Sequence, residues 1–345
     1  GIVYDDPRYL CLADLNNDGW LDLVVPQVNH DRSLVLWGGP DGFSMERCQM
    51  LSVWHPCCAR AADLNGNGYL DLIMGGHEPS RGGEPHDSFA YIYWNGPEGL
   101  REDHRTLLPG NTINSMAVAD FNNDGMLDLF LTSYHDGRVR DIDCYIYWNR
   151  PGRGFSATDR QRIFAHSSSG CMVADFNEDG WVDLVIANHK TWGKHVGDSW
   201  VMWNGPEGFD ERRITKLPAA GPHGLTSVGP GNIMDRGPDE YYISKAFNLP
   251  NGLGVTKIGW EATLASKTWV KAQLRSAETE DGLDTAGWRG PDDEDSWFDS
   301  GQSVDPARFT GQWVQYRLTL GAVNSGCTPR VTQVDVHYGE TGQGV

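Results

Sequence analysis

Four stretches of the chain place oxygen-bearing side chains at one fixed spacing. They read ADLNNDGWLDLVV from Ala13, ADLNGNGYLDLIM from Ala62, ADFNNDGMLDLFL from Ala119 and ADFNEDGWVDLVI from Ala174. Counted from the first acid, Asp or Asn stands at positions 1, 3, 5 and 9, and Gly at position 6. Alternate side chains then turn inward while the glycine takes a sharp turn, a spacing that wraps a hard cation such as calcium. A second recurrence follows each loop. Asn29-His30, Gly76-His77, Tyr134-His135 and Asn188-His189 come six to eight residues after the last acid. Arg32, Arg60, Arg81, Arg138, Arg140, Lys190 and Lys194 lie in the same or adjoining loop segments. Imidazoles beside cations can move protons and neutralise an anion.

The residues flanking each loop are short, apolar and β-branched, so each loop reads as the tip of a β-hairpin. The first acids, at 14, 63, 120 and 175, are 49, 57 and 55 residues apart. A period of that size means stacked supersecondary units. Each unit reads as four strands, A to D, with strand A at Tyr9–Ala13, B at Leu21–Val25, C at Ser33–Trp37 and D at Ser44–Leu51 in the first. The C-to-D turn also repeats, as Trp37-Gly-Gly-Pro-Asp-Gly, Trp94-Asn-Gly-Pro-Glu-Gly and Trp203-Asn-Gly-Pro-Glu-Gly, with a variant from Trp148 to Gly154. Pro and Gly set that turn, and the Trp is expected to pack between neighbouring sheets. Four-stranded units of this kind are propeller blades.

These loops resemble the FG-GAP or VCBS repeats of integrin alpha-subunit propellers and of many bacterial secreted proteins. The resemblance covers residues 4–216 and is more specific for fold and calcium than for function. It implies metal ligation by Asp14, Asn16, Asp18 and Asp22 in the first blade. The matching positions are Asp63, Asn65, Asn67 and Asp71; Asp120, Asn122, Asp124 and Asp128; and Asp175, Asn177, Asp179 and Asp183. About four calcium ions are expected, the second loop holding its ion most weakly because Asn67 replaces an Asp. A fifth, degraded unit is read at Leu225–Asn232 (strand A) and Asp239–Ser244 (strand B), with no ordinary calcium site. Family propellers usually have seven blades, so either the ring is five-bladed or further blades lie outside this chain.

From Gly252 the pattern changes. Ile258–Leu264, Trp269–Leu274, Trp313–Leu320 and Val331–Tyr338 alternate apolar and polar residues, as half-buried antiparallel strands do. The expected fold is all-β: a propeller over residues 1–250, then a jelly-roll-like β-sandwich over 251–345. No specific binding signature shows in the sandwich, which reads as a cap on the propeller or a sugar-binding appendage.

The 345 residues carry a formal charge of −19, which excludes a nucleic-acid partner as the leading reading. Eleven of the acids are candidate calcium ligands, so part of that charge belongs to metal sites. No apolar run is long enough to span a membrane. The chain begins at Gly1 rather than Met, as a processed product does, and loops of this type usually need extracellular calcium levels. Extracellular or periplasmic placement is expected. Of the seven Cys, Cys11 and Cys171 precede metal loops and read as buried thiols; the pairing of the rest is open.

In a propeller the A-to-B and C-to-D turns share one face, leaving B-to-C and D-to-A loops on the other. His30, His77, His86, His135, His189 and His195 fall in B-to-C loops, and His55, His166 and His223 in D-to-A loops; only His104 and His337 lie elsewhere. The mouth so formed suits an anionic or polyhydroxylated ligand, and the expected partner is an acidic extracellular polysaccharide. A β-eliminating lyase needs a cation for the uronate carboxylate, a base for the C5 proton and an acid for the leaving oxygen. Tyr134, His135, His189 and Arg138 are the candidates for those roles, with His30, His77, His166, His223, Arg60 and Lys190 as substrate contacts. Two other readings remain open. Several His could hold an additional transition metal, as in some propeller-fold pectin-type lyases. The module could also be a non-catalytic lectin or adhesion domain. Glu78, Glu84, Asp87, Asp136 and Asp198 stay available for hydrolysis.

Overall fold

The computed structural model describes residues 6–77, 88–177, 179–224, 239–264, 268–322 and 329–340. The chain divides into two compact units, Gly1–Asp235 and Arg236–Val345.

The first unit contains four antiparallel four-stranded sheets, each formed in chain order. Blade 1 is β1 (Cys11–Ala13), β2 (Asp22–Pro26), β3 (Arg32–Leu36) and β4 (Cys48–Ser52). Blade 2 is β5 (Pro56–Ala62), β6 (Asp71–Gly76), β7 (Ser88–Tyr93) and β8 (Arg105–Gly110). Blade 3 is β9 (Met116–Ala119), β10 (Asp128–Leu131), β11 (Asp141–Tyr147) and β12 (Arg160–His166). Blade 4 is β13 (Ser168–Ala174), β14 (Asp183–Asn188), β15 (Val196–Met202) and β16 (Ile214–Ala220). In every blade the residue before the first loop acid pairs with the ninth-position Asp: Ala13 with Asp22, Ala62 with Asp71, Ala119 with Asp128 and Ala174 with Asp183. The loop is therefore the closed end of a hairpin. Strand D of blade 1 begins at Cys48, later than its sequence pattern indicated, because Met45–Arg47 form a 3-10 turn capped by Ser44.

The second strands are covered on both faces. Asp71–Gly76 and Asp128–Leu131 are buried throughout, which explains their unbroken apolar runs. One core joins blades 1 and 2 through Val24, Leu51, Leu72 and Tyr93, and another joins blades 3 and 4 through Phe130, Ile146, Leu184 and Met202. The repeated Trp behave as spacers: Trp94 stacks on Phe155 of the next blade, and Trp37 and Trp148 pack against these cores.

A polar staple repeats beside the cores. The Asn of each Trp-Asn turn donates to a loop carbonyl of the preceding blade and to one of its own. Asn95 reaches Leu15 O (2.6 Å) and Leu70 O (2.9 Å), Asn149 reaches Leu64 O (2.8 Å) and Leu127 O (3.1 Å), and Asn204 reaches Phe121 O (2.8 Å) and Val182 O (3.0 Å). Asn149 is 1% exposed, so Asn149→Ala would strand two carbonyls away from water. The expected cost is about 2–4 kcal/mol, read as a fall of about 5–10 °C in the first unit's melting temperature. A fall under about 2 °C would show that the blades do not depend on the staple.

The second unit is a sandwich of two sheets. In one, β17 (Asp239–Ile243) and β18 (Phe247–Asn248) pair with one edge of β21 (Trp313–Ala322), and β20 (Thr268–Ala277) pairs with the other. The second sheet pairs β19 (Leu253–Thr263) with β22 (Arg330–Glu340). Val255, Ile258, Val270, Leu274, Phe298, Val314 and Leu318 fill the core.

Strand Asp239–Ile243 corrects the fifth-blade reading. It pairs along its length with Gly321–Arg317 of the sandwich, so it completes that sheet rather than a blade. The contact boundary at Asp235/Arg236 accordingly precedes the boundary at 250 expected from sequence. Residues 225–232, the other half of that reading, lie outside the described residues.

Candidate functional site

A repeated backbone device builds the face opposite the calcium-type loops. Asp6, His55, Thr112 and Ser167, each in the connection that enters a blade, adopt positive φ of 53°, 45°, 49° and 49°. Non-glycine residues in this region carry strain and need surrounding structure to hold them. Here the holding bond is the same each time: their carbonyls accept the N–H of Val28 (3.4 Å), His77 (2.7 Å), Tyr134 (3.2 Å) and His189 (3.2 Å). These four residues sit six positions after the ninth loop Asp of their blades. The device therefore places His77, Tyr134 and His189 at equivalent points around the mouth.

Their rings join. The Tyr134 ring centre lies 5.5 Å from those of His135 and His189 and 6.1 Å from that of His223. His189 lies 4.0 Å from His223 and 4.7 Å from His195, and His77 lies 6.2 Å from His135. Arg140 covers the Tyr134 ring with its guanidinium carbon 4.7 Å from the centre. Ser167 fixes both, accepting from Arg140 Nη1 (3.2 Å) and donating to Tyr134 O (2.9 Å).

Hydrogen bonds set the tautomers. His135 Nδ1 accepts the Gly137 N–H (3.2 Å), so its proton sits on Nε2. His189 Nδ1 faces the carbonyls of Gly221 and Pro222, both at 3.2 Å, so Nδ1 carries the proton and Nε2 holds the lone pair. Burial, followed by the neighbouring His223, lowers the pKa of His189. Burial followed by Arg8 lowers that of His223. The same two causes bring His77 down to about 4. All three shifts favour the neutral imidazole, and His189 keeps the lone pair on Nε2.

Not every expected residue joins the cluster. Arg138 is exposed, and Arg140, two residues on, is the guanidinium over Tyr134. His166 is turned elsewhere: its Nδ1 meets Asp141 Oδ1 at 2.5 Å, and its ring packs on Phe164, Trp192 and Trp200. Arg60 lies on β5 and donates to Ala59 O (3.0 Å), next to Cys11, Cys58 and Cys171 in electrostatic reach. His30 is tied through its backbone to Gln27 and His55. Lys190 precedes the Thr191–Lys194 hairpin. Glu78, Arg81, Glu84, His86 and Asp87 lie outside the described residues. Asp136 accepts two backbone N–H bonds, from Arg138 and Val139, and closes its own turn. Trp192, on that same hairpin, was not singled out from sequence. It is 70% exposed, has φ 49°, and is held by its N–H to Asp141 Oδ1 (3.1 Å). His195, three residues on, meets His189 edge-on, so the hairpin runs from this exposed ring to the cluster.

The four loops on the other face share one geometry. In the first, Asp14 accepts the N–H of Asp18 (3.1 Å) and Gly19 (2.9 Å), Asn16 accepts that of Asp18 (3.0 Å), and Asp18 accepts that of Trp20 (2.8 Å). The third and fourth loops repeat this pattern. The ninth Asp is fully buried and accepts two backbone N–H groups, clipping loop to C-to-D turn. Asp22 takes Leu15 and Gly38 (both 2.8 Å), Asp71 takes Leu64 (2.9 Å) and Asn95 (2.7 Å), Asp128 takes Phe121 (3.2 Å) and Asn149 (2.9 Å), and Asp183 takes Phe176 (3.1 Å) and Asn204 (2.8 Å). Burial pushes Asp22 up to about 6 and Asp71 and Asp128 to about 7. Among the described residues no three His, Cys, Asp or Glu stand in metal-holding geometry, here or at the histidines. The loops nonetheless offer only oxygen donors, and they bury a carboxylate whose hydrogen bonds come from backbone N–H groups. That donor set suits a hard cation, whose charge would offset the burial.

The six described cysteines are free thiols, and burial pushes Cys57 and Cys144 up to about 12. No described helix is long and apolar enough to cross a membrane.

Fold and loops together define an all-β protein of blade-type repeats. Residues 14–74, 63–131 and 120–186 match the FG-GAP-like repeat, and the chain belongs to that family. Over 176 residues it is 28% identical to phosphatidylinositol-glycan-specific phospholipase D of Homo sapiens, a match covering 45% of this chain and 21% of that protein. The chain thus matches only about a fifth of that relative's length. Two solved structures are similar at low identity. The BBS1N–ARL6DN complex soaked with lead gives a TM-score of 0.40 at 16% identity, covering 64% of this chain and 58% of that one. The V. cholerae biofilm matrix protein Bap1 gives 0.38 at 12%, covering 95% and 59%.

Proposed function

We propose that this is a secreted, calcium-stabilised propeller that binds an acidic extracellular polysaccharide at its histidine mouth and cleaves it by β-elimination. The observation that carries the reading is a lone-pair Nε2 on His189 and an Nε2–H on His135, each ring centre 5.5 Å from that of Tyr134, whose own ring lies under Arg140. The guanidinium of Arg140 neutralises the uronate carboxylate and so acidifies the C5 proton. His189 Nε2 takes that proton. The C4–oxygen bond breaks as C4=C5 forms, and the leaving oxygen receives a proton from Tyr134 or His135. The cluster thus supplies a cation, a base and an acid for the step, and the lowered pKa of His189 favours its free base at neutral pH.

The test is incubation with a panel of uronate-containing polysaccharides, following the ultraviolet absorbance of the new C=C bond. Binding without absorbance across the panel would overturn the lyase and leave the second reading, a lectin-like or adhesion module. The exposed, strained Trp192 gives a further expectation within this reading. An aromatic face on the hairpin that ends at His195 stacks the sugar next to the cleaved one. Trp192→Ala should therefore raise KM about tenfold with kcat within about twofold, since it removes binding felt equally by ground and transition states. Equal loss in kcat would assign the ring to the chemistry instead.

The calcium loops supply the scaffold. Asp at positions 1, 5 and 9 and Asn at 3 would hold one ion per blade, with Asn67 weakening the second. There Asn67 Nδ2 is already spent on Asn95 O (2.8 Å).

A further inference from the structure

The second unit carries a side-chain group that neither the repeats nor the histidine mouth uses. By strand alternation, Gln315 and Arg317 of β21 lie on the face opposite the core residues Val314 and Leu318. Register places Gln273 and Ile243 beside Arg317, and Arg275 beside Gln315. The Arg317 guanidinium carbon stands 5.0 Å from the ring centres of Tyr241 and Trp297 and 5.2 Å from that of Trp288. Arg275 stands 4.4 Å from the Trp288 ring. The Tyr241 and Trp297 rings are only 16° from parallel, 6.1 Å apart, and Tyr241 is 53% exposed.

The arrangement is fixed in advance. Arg317 donates through Nε and Nη2 to Gln273 Oε1 (3.0 and 2.6 Å), and Arg275 likewise to Gln315 Oε1 (2.8 and 2.5 Å). Gln273 is fully buried and donates to the carbonyls of Glu294 and Ser296, both at 2.7 Å, which pins the segment bearing Trp297. Yet among the described residues the ion pair of this unit joins Arg289 to Glu294 (3.9 Å), and neither Arg275 nor Arg317 has a carboxylate partner. In a chain with a formal charge of −19, acids for pairing are plentiful. Two half-buried guanidiniums, each tied on one edge by a neutral amide and framed by aromatic rings, retain capacity for an anion. Exposed Lys271, opposite Thr319, adds a third cation to the same face.

We infer that this sheet face is a second glycan site, which takes an anionic pyranose. A carboxylate or sulfate ester pairs with the guanidiniums, and the apolar side of the sugar ring lies on the near-parallel Tyr241 and Trp297 rings. The neighbouring hollow of about 440 Å³ is lined by Glu280, Asp281 and Asp284 with Lys245, so an anion is directed to the Arg317 side. The site is built from residues of the second unit alone and shares none with the histidine mouth.

The test is affinity electrophoresis of the full chain through gels containing polygalacturonate, dextran sulfate or plain dextran. The wild type should be retarded by a charged polymer and not by dextran. Polygalacturonate and dextran sulfate separate carboxylate from sulfate recognition. Tyr241→Ala and Arg317→Lys, checked for unchanged melting, should each weaken retention about tenfold while leaving turnover of a short oligogalacturonate unchanged. Tyr241 is exposed, so its variant keeps the test valid even where Arg317→Lys does not fold. Wild-type retention in both variants, equal retention by dextran, or no retention of the wild type by either charged polymer would overturn the site. Elimination absent but retention dependent on Tyr241 would remove the lyase and keep this site; elimination present with retention independent of Tyr241 would do the reverse.

Discussion

His189→Ala, and Tyr134→Phe combined with His135→Ala, should each lower elimination turnover by about a hundred- to ten-thousand-fold, the range of a lost general acid or base. KM should change little, because neither exchange removes the Arg140 guanidinium that receives the carboxylate. The pH dependence identifies the base. Burial and His223 hold the pKa of His189 below its ordinary 6.5, so the free base is the resting form at pH 7. Activity should be flat near neutrality and fall as pH drops through that lowered value, where the imidazole takes its own proton. His223→Ala removes one like-charged neighbour and relieves part of the depression, so the acid limb should move to higher pH. An acid limb unmoved by His223→Ala, or undiminished turnover in His189→Ala, would take the base role from His189. Arg138→Ala should cost far less than Arg140→Ala, since it is the Arg140 guanidinium that covers Tyr134. The reverse order would return the carboxylate to Arg138.

What could be read from the residues and what could not divide along the range of the contacts. The loops were legible because their bonds are local: Asp14 to Asp18 and Gly19, Asn16 to Asp18, all within five residues. Register followed, since Ala13 must face Asp22 once the loop closes. That register in turn put His77, His135 and His189 on one face, and their rings do meet there through Tyr134. The failures are all nonlocal or conformational. His166 was assigned to the mouth, but Asp141, 25 residues away, takes its Nδ1. Arg138 was the expected cation, whereas the guanidinium that covers the Tyr134 ring is that of Arg140, and sequence does not distinguish two arginines so close together. The positive-φ residues that aim His77, Tyr134 and His189 include no glycine, so nothing in their identity marked them. Asp239–Ile243 resembled strand B of a blade, but its partner lies more than seventy residues on, in Trp313–Ala322. The guanidinium group of the sandwich escaped notice for the same reason: Tyr241, Arg275, Trp297 and Arg317 come from four separate segments.

Calcium removal should produce the largest stability change. An ion that binds only the folded state contributes about 2.7 kcal/mol at a hundredfold excess over its Kd, and four loops of one design multiply that effect. For a unit of this size each kcal/mol moves the midpoint by about 2–4 °C, so chelation should lower the first unit's melting temperature by tens of degrees. The physical reason is visible in the ninth-position carboxylates. Asp22, Asp71, Asp128 and Asp183 are fully buried with only backbone N–H groups as partners, and three of them are pushed up to about 6 or 7 by that burial. A divalent cation beside them would replace the lost hydration, and without one each blade would keep a buried carboxylate uncompensated at the clip between its loop and its C-to-D turn. The sandwich provides an internal reference, since its described residues contain no loop of this spacing; its own transition should move much less. Calorimetric titration should count about four ions, three tighter and one weaker, and Asn67→Asp should bring the weak one level with the rest. A melting profile indifferent to EDTA would show that the backbone bonds of these loops hold the blades without a metal.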